Sequence, residues 1–265
     1  MKQSKMNMML VFILLFGAIF APTVSAANVG GKKLKIVSLG DSITYGWNLD
    51  EDKSKPSESA FPNLIGERDH KVTNLSQPGW TSSELLSAIE QNPEFTDAIR
   101  KADIITLNIG SNDLLQKTGI MDMVNGKIPF NRDIVLYKSL EAAAELSANL
   151  DKIIEHIKSK TDAPVILYTL YNPFGYDPSK PATLPLNMLG QEVLQLVNKA
   201  VILPQANAGS ILIADAFIAF DGKQAAYILP KDIHPTLAGQ EVLAKLAEEQ
   251  IVALGDKRLK LKFSK

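Results

Sequence analysis

The sequence predicts a three-layer α/β/α domain around a central five-stranded parallel sheet. Short apolar segments alternate with amphipathic helical segments along the chain, which is the pattern of consecutive β-α-β units. Strands of this kind are buried on both faces when helices cover the sheet from two sides. Because the crossovers between parallel strands are right-handed, the helices fall on both faces and make three layers.

The predicted elements follow one another without an internal repeat or a domain linker. The five strands are expected at residues 34–39, 70–75, 102–109, 164–170 and 211–214. Helical segments are indicated at residues 61–68, from Ser82 onward, and at residues 140–157, 189–200 and 243–251. In the helix at 140–157, Leu140, Leu150 and Ile157 are among the residues expected on its apolar face. Two long connections, 115–135 and 172–186, are interrupted by glycine or proline and are expected to border a binding site.

The N-terminus is typical of a secretory signal peptide. Lys2 and Lys5 precede an apolar run at residues 10–20, and small residues before Ala27 predict cleavage after Ala26. The alternative is an uncleaved anchor, but the run is short for a membrane span. We therefore expect a signal peptide at residues 1–26, a single domain at 27–265 without a stable membrane anchor, and a secreted, extracellular or cell-envelope location.

Composition narrows the classes of function. A formal net charge of −1 over 265 residues provides no basic surface for nucleic acid. The chain has no cysteine, which excludes disulfides, a thiol nucleophile and cysteine-ligated metals. The three histidines are dispersed and no Gly-rich phosphate loop is evident, so neither a metal site nor a cofactor is predicted.

Four polar, turn-forming segments stand at or near the ends of predicted elements. They are Gly40-Asp41-Ser42-Ile43 after the first strand, the loop containing Gly79 after the second, Gly110-Ser111-Asn112-Asp113 after the third, and Asp232-Ile233-His234-Pro235 before the last helix. In a parallel α/β sheet, ligands bind beyond the carboxyl ends of the strands. We therefore expect the four segments to meet at one rim of the sheet.

The residue types in these segments are those that acyl transfer requires. That reaction needs a nucleophile, a base, a group that orients the base, and donors to a developing oxyanion. Ser42 can supply the hydroxyl and His234 can accept its proton. The Gly79 amide and the Asn112 side chain can donate to the oxyanion, although Gly79 can also be present only for a positive φ angle.

These four segments, in this order, resemble the four sequence blocks of the GDSL/SGNH hydrolases. The similarity spans residues 34 to about 252. It implies a flavodoxin-like SGNH hydrolase fold, with Ser42 as nucleophile and His234 as general base. It also implies an oxyanion hole formed by the backbone amides of Ser42 and Gly79 and the side chain of Asn112.

One position departs from the family pattern. The family usually places its acid three residues before the histidine, where this chain has Lys231. The nearest acid is Asp232, two residues before His234, and it is the favoured orienter of the histidine. Asp215, Asp221 and a backbone carbonyl are the alternatives.

The resemblance implies hydrolysis of carboxylic esters of lipase, esterase or lysophospholipase type through an acyl-enzyme, with a small-molecule or lipid ester as substrate. A carbohydrate O-acetylesterase with the same residues is one alternative, and a non-catalytic binding module is another. Four aromatic side chains are candidates for lining an apolar acyl pocket, the other possibility being core packing: Trp80, Tyr171, Phe174 and Tyr176.

Overall fold

The central sheet has five parallel strands in the order β2-β1-β3-β4-β5. The computed structural model describes residues 33–208 and 210–263, so the predicted signal peptide lies outside the described residues. The strands are β1 Lys35–Gly40, β2 Lys71–Asn74, β3 Ile104–Asn108, β4 Val165–Tyr168 and β5 Ile211–Ala214. The last four lie within the predicted ranges, and β1 is shifted by one residue.

Helices cover both faces of the sheet and complete the predicted three-layer α/β/α architecture. One face carries α3 Ser82–Gln91, α4 Pro93–Lys101, α5 Ser111–Thr118, α6 Ile120–Val124, α7 Arg132–Lys160 and α8 Leu184–Val197. The other carries α1 Ser42–Tyr45, α2 Phe61–Leu64, α9 Ala216–Phe220, α10 Gln224–Tyr227 and α11 Leu237–Phe263.

Two hydrophobic cores lie on opposite faces of the sheet because successive strand residues point in opposite directions. On β1, Val37 and Leu39 pack with α3 to α8, whereas Ile36 packs with Phe61 of α2 and Leu243 of α11. All three β1 side chains are buried, as the apolar character of the strand predicted.

Two helices differ from the sequence prediction. The segment at 61–68 is not one helix: α2 ends at Leu64, and residues 65–68 form a turn in which Gly66 and Glu67 are left-handed, with φ angles of 64° and 54°. Helix α7 begins at Arg132, and its Leu140 is 67% exposed rather than part of the apolar face. Ser139 and Ala142 take the buried positions there, because the buried stripe follows the helical period from Leu150 back through Leu146.

The direction in which successive strands are added to the sheet reverses between β1 and β3. The chain leaves β1 toward β2 on one side, and leaves β3 toward β4 on the other side. The connections diverge at this switch point and open a crevice at the carboxyl ends of the two strands. Among the helices that the structure describes, none is long and apolar enough to cross a membrane.

Candidate active site

Ser42 is the first residue of α1 and follows a tight turn at the end of β1. A Cβ atom on Gly40 would collide with the Asn108 carbonyl oxygen and the Thr44 hydroxyl, so glycine is required where β1 meets β3. The Asp41 carboxylate caps α1 by accepting a hydrogen bond from the Ile43 N–H at 2.9 Å. These contacts fix the Ser42 backbone above the sheet and leave the residue 7% exposed.

His234 reaches Ser42 from the other end of the chain. Its Nε2 lies 3.0 Å from the Ser42 Oγ, and its Nδ1 lies 2.6 Å from the Asp232 Oδ1. These are hydrogen-bonding distances for a hydroxyl, an imidazole and a carboxylate in series. A proton can therefore pass from the hydroxyl to the ring while the carboxylate holds the opposite ring nitrogen.

A local turn explains how an acid two residues before the histidine reaches its ring. The Asp232 N–H donates to the Leu229 carbonyl at 3.1 Å, closing a turn in which Lys231 is exposed and has a φ angle of 60°. The Leu229 N–H in turn donates to the His234 carbonyl at 2.9 Å. The turn directs Lys231 to solvent and places Asp232 beside the imidazole.

The alternative acids lie elsewhere. Asp215 caps α9 and accepts a hydrogen bond from the Thr169 hydroxyl at 2.9 Å. Asp221 accepts a hydrogen bond from the Gln191 side chain at 2.8 Å. Of the three candidate acids, the structure therefore brings Asp232 to the ring of His234.

Asp232 is surrounded by donors that favour its charged form. Partial burial raises the pKa of its carboxyl, but hydrogen bonds from the Asn48 side chain and the Ile233 N–H, together with His234, outweigh burial and hold the pKa below its usual value. Asn48 donates to the Asp232 Oδ2 at 2.7 Å. Asn48 was not predicted from the sequence, because an exposed asparagine in a loop carries no pattern that predicts a contact 184 residues away.

Gly79 lies in a β-turn that leaves its backbone N–H available to donate a hydrogen bond to an anion. The Trp80 N–H donates to the Gln77 carbonyl at 3.4 Å, and Pro78 and Gly79 occupy the centre of the turn. The third residue of a type II turn needs a positive φ, and Gly79 has a φ of 83°. The Gly79 N–H takes no part in the bond that closes the turn, and a Cβ on Gly79 would meet no atom within 4 Å. Open space therefore adjoins this residue.

Helix α5 holds that turn through two side chains one helical turn apart. The Asn112 Nδ2 donates to the Trp80 carbonyl at 2.9 Å, and the Gln116 Nε2 donates to the Gly79 carbonyl at 2.9 Å. A side-chain amide has two N–H groups, so Asn112 keeps a second one for a ligand. Asn112 was a candidate from the sequence, whereas Gln116 was not.

Two buried aspartates, Asp41 and Asp113, hold the loops that carry Ser42 and Asn112. Asp113 accepts hydrogen bonds from the Ser82 backbone N–H and hydroxyl, which joins α5 to α3. Burial raises the pKa of Asp113, although the bonds from Ser82 oppose that rise. The pKa of Asp41 is raised to about 7, chiefly because the carboxyl is completely buried; the hydrogen bond from the Ile43 N–H opposes the rise and the nearby Asp113 adds to it.

An apolar cavity adjoins these residues. Ile43, Ser111 and Ile233 line it, and they are the chain neighbours of Ser42, Asn112 and His234. The space between its walls, open mouth included, is about 630 Å³. Its remaining walls come mainly from α5, α7, α8 and the chain after β4: Leu114, Leu115, Thr118, Ile120, Val135, Ser139, Tyr171, Pro173, Phe174, Leu186, Leu189, Gly190, Val193 and Leu194. Residues of both segments predicted as long connections, 115–135 and 172–186, thus border the cavity. The prediction of a connection at 115–135 was wrong, because the lining residues of that segment lie in α5, α6 and α7.

The four aromatic candidates divide into two pairs. Tyr171 and Phe174 line the cavity. Trp80 packs against Phe95 with ring centroids 6.1 Å apart, and Tyr176 is 46% exposed; neither is among the residues that line the cavity. The chain after β4 therefore brings its Tyr171 and Phe174 to the space beside Ser42, and leaves Tyr176 outside it.

Known proteins resemble this chain in sequence and in fold. The spore germination lipase LipC of Bacillus licheniformis is 26% identical over 230 residues, which cover 85% of this chain and 98% of the relative. The extracellular lipase of Streptomyces rimosus superposes with a TM-score of 0.58 at 20% identity, covering 82% of this chain and 98% of that one. A catalytic mutant of Axe2, an acetylxylan esterase of Geobacillus stearothermophilus, gives 0.51 at 19% identity, covering 82% and 94%.

At this level of identity, the structural similarities support the fold alone. The match of the sequence to a family model supports membership of a family. The model of the GDSL-like lipase/acylhydrolase family matches residues 38–242, a stretch that contains Ser42, Gly79, Asn112 and His234. That match covers well over half of the chain, and the chain therefore belongs to the GDSL-like lipase/acylhydrolase family.

Proposed function

We propose that the protein hydrolyses carboxylic esters with Ser42 as nucleophile, His234 as general base and Asp232 as the group that orients the histidine. The observation that carries the proposal is the continuous series of contacts from the Ser42 Oγ to His234 at 3.0 Å and from His234 to Asp232 at 2.6 Å. Family membership and the sequence similarity to a lipase support the same reaction class.

In this mechanism the Ser42 hydroxyl attacks the ester carbonyl while His234 Nε2 takes its proton. The negative oxygen of the tetrahedral intermediate accepts hydrogen bonds from the Ser42 and Gly79 amides and the Asn112 side chain. The alcohol leaves with the proton from His234, and a water molecule activated by the same ring then releases the acid from Ser42. Asp232 stabilises the imidazolium that forms in each half-reaction.

The cavity favours an ester with an apolar acyl chain. Its walls are mostly aliphatic and aromatic, and they begin at the chain neighbours of Ser42, Asn112 and His234. An acyl chain placed there buries apolar surface, and each Å² removed from water contributes roughly 25 cal/mol of favourable binding free energy. An acetyl group leaves most of that surface without contact, so we propose a lipase or esterase with a preference for medium or long chains rather than a carbohydrate O-acetylesterase.

A panel of p-nitrophenyl esters of increasing acyl length tests the substrate class. We expect kcat/KM to rise from acetate to medium or long chains, and Ser42→Ala to abolish turnover of every ester. Turnover confined to acetate would favour the O-acetylesterase alternative. No turnover of any ester by the wild-type protein would favour a non-catalytic binding module.

We also propose that the protein is exported, with residues 1–26 as the signal peptide. The support is the positively charged start, the apolar run and the small residues before Ala27. N-terminal sequencing of protein recovered outside the cells is the test, and Ala27 is the expected first residue. Recovery in the membrane fraction with the leader intact would favour the uncleaved anchor instead.

A further inference from the structure

The carboxylate of Asp232 is held at both oxygens, from two distant parts of the chain. Its Oδ1 accepts from the Ile233 N–H at 2.7 Å and faces the His234 Nδ1. Its Oδ2 accepts from the Asn48 side chain at 2.7 Å. The bonds at Oδ1 are local to the acid's own loop, whereas the bond at Oδ2 comes from the loop that follows Ser42.

Asn48 is oriented by its own contacts. Its Oδ1 accepts from the Lys53 Nζ at 2.7 Å, and that ammonium lies 4.6 Å from the centre of the Trp47 ring. Because Lys53 can only donate, it selects the amide orientation in which the NH₂ group faces Asp232. Asn48 has a φ angle of 67°, a conformation that asparagine tolerates better than most residues.

The contact from Asn48 limits rotation of the Asp232 carboxylate. The final torsion of an aspartate is soft, so a carboxylate held at one oxygen can rotate away from the plane of the imidazole. A donor at the second oxygen removes that freedom. Because Asn48 follows Ser42 by six residues, the same segment fixes both the nucleophile and the acid.

We propose that Asn48 is a positioning residue for ester hydrolysis, whose side-chain amide holds the Asp232 carboxylate against His234 and couples the acid loop to the nucleophile loop. This inference rests on the proposed function. Lys53 acts one step further out, by fixing the orientation of the Asn48 amide. Neither side chain touches the substrate in this assignment.

The first test compares Asn48→Gly with Asn48→Asp. Glycine keeps the left-handed backbone without strain and removes the donor, so we expect kcat to fall about tenfold, as for a misplaced catalytic group, with KM and the melting temperature close to wild type. Aspartate keeps the shape and the acceptor for Lys53 but cannot donate to a carboxylate. We expect Asn48→Asp to lose at least as much activity; wild-type kcat in this variant would assign Asn48 to loop packing alone and overturn the proposal.

The second test is a double-mutant cycle with Asp232→Asn, which has no carboxylate to hold. Asn48→Gly should lower kcat about tenfold in the wild-type background and less than about twofold in the Asp232→Asn background. Equal losses in both backgrounds would overturn the proposal. The proposed function fails separately, if wild-type protein and Ser42→Ala have the same activity toward the ester panel.

Discussion

Ser42 combines a nearly buried position with a hydroxyl that faces an imidazole. Ser42→Ala removes the proposed nucleophile, so it should lower kcat at least about a thousandfold. The melting temperature should stay almost unchanged, because the hydroxyl contributes little to packing compared with an apolar core residue. Ester hydrolysis and thermal unfolding measure the two effects. Ser83, exposed in α3, provides the matched control, and Ser83→Ala should behave as wild type. Substantial activity in purified Ser42→Ala would remove Ser42 from the mechanism.

Asn112 has one amide N–H engaged by the Trp80 carbonyl and a second available to an oxyanion. Asn112→Ala should lower kcat roughly a hundredfold with little change in KM, because the oxyanion forms only after attack. Steady-state kinetics on the preferred ester decide the matter. A variant affected mainly in KM would instead place Asn112 in binding of the unreacted substrate.

Asp41 makes the stability of the fold dependent on pH. Its pKa of about 7 in the folded protein exceeds the value of 3.8 expected for an unperturbed aspartate. Between these values the folded state holds a proton that the unfolded chain has lost, so this group lowers the free energy of unfolding as pH rises through that window. Asparagine keeps the helix cap without the buried charge.

Asp41→Asn should therefore raise the melting temperature, relative to wild type, by more at about pH 8 than at about pH 5, where the wild-type carboxyl is protonated. Thermal unfolding at the two pH values measures the difference. An equal difference at both would show that Asp41 does not carry a buried charge at the higher pH.

At the scale of elements, the cavity depends on how α5, α7 and α8 pack together. Val193 of α8 is buried in its wall, and a larger side chain there shortens the space for an acyl chain. Val193→Phe should lower kcat/KM for long-chain esters by about tenfold or more, because several methylene groups of the acyl chain lose their contacts. Activity toward short-chain esters should be retained. Ile218→Phe, at an exposed position of α9, is the control.

The chain-length profile of each variant measures this effect, and unfolding curves exclude a general loss of structure. A uniform loss of activity across all chain lengths in Val193→Phe would show that the cavity does not bind the acyl chain. The same profile in wild type and Val193→Phe would do so as well.

At the scale of the whole molecule, the candidate site joins segments from both ends of the domain across the switch point of the sheet. Ser42 and His234 are 192 residues apart, and they are brought together by a sheet that contains β1, which ends just before Ser42, and the four later strands. Esterase activity and the far-UV circular dichroism of the fold should therefore be lost with the same denaturant midpoint. Loss of activity at clearly lower denaturant would reveal that the His234 loop opens locally while the sheet stays folded.

The sequence by itself determined the fold class, the five strands and the four segments at the rim. These follow from local patterns: apolar strands between amphipathic helices, and turn-forming polar residues where strands end. It also identified Asp232 as the favoured acid, and the structure brings that residue to His234 at 2.6 Å. The predictions for Leu140 and for the helix containing Glu67 were wrong, because helix phase and a left-handed backbone depend on packing with the rest of the chain.

Only the tertiary structure decided which side chains meet. The turn at Lys231 determines where Asp232 points, and the bond from Asn48 to Asp232 joins loops 184 residues apart. Packing likewise brings Phe174 to the cavity and leaves Tyr176 exposed, although the two are close in sequence. The physical reason is the same in each case: periodicity and turn chemistry act over a few residues, whereas the contacts of a loop side chain are set by distant elements that the sheet brings together.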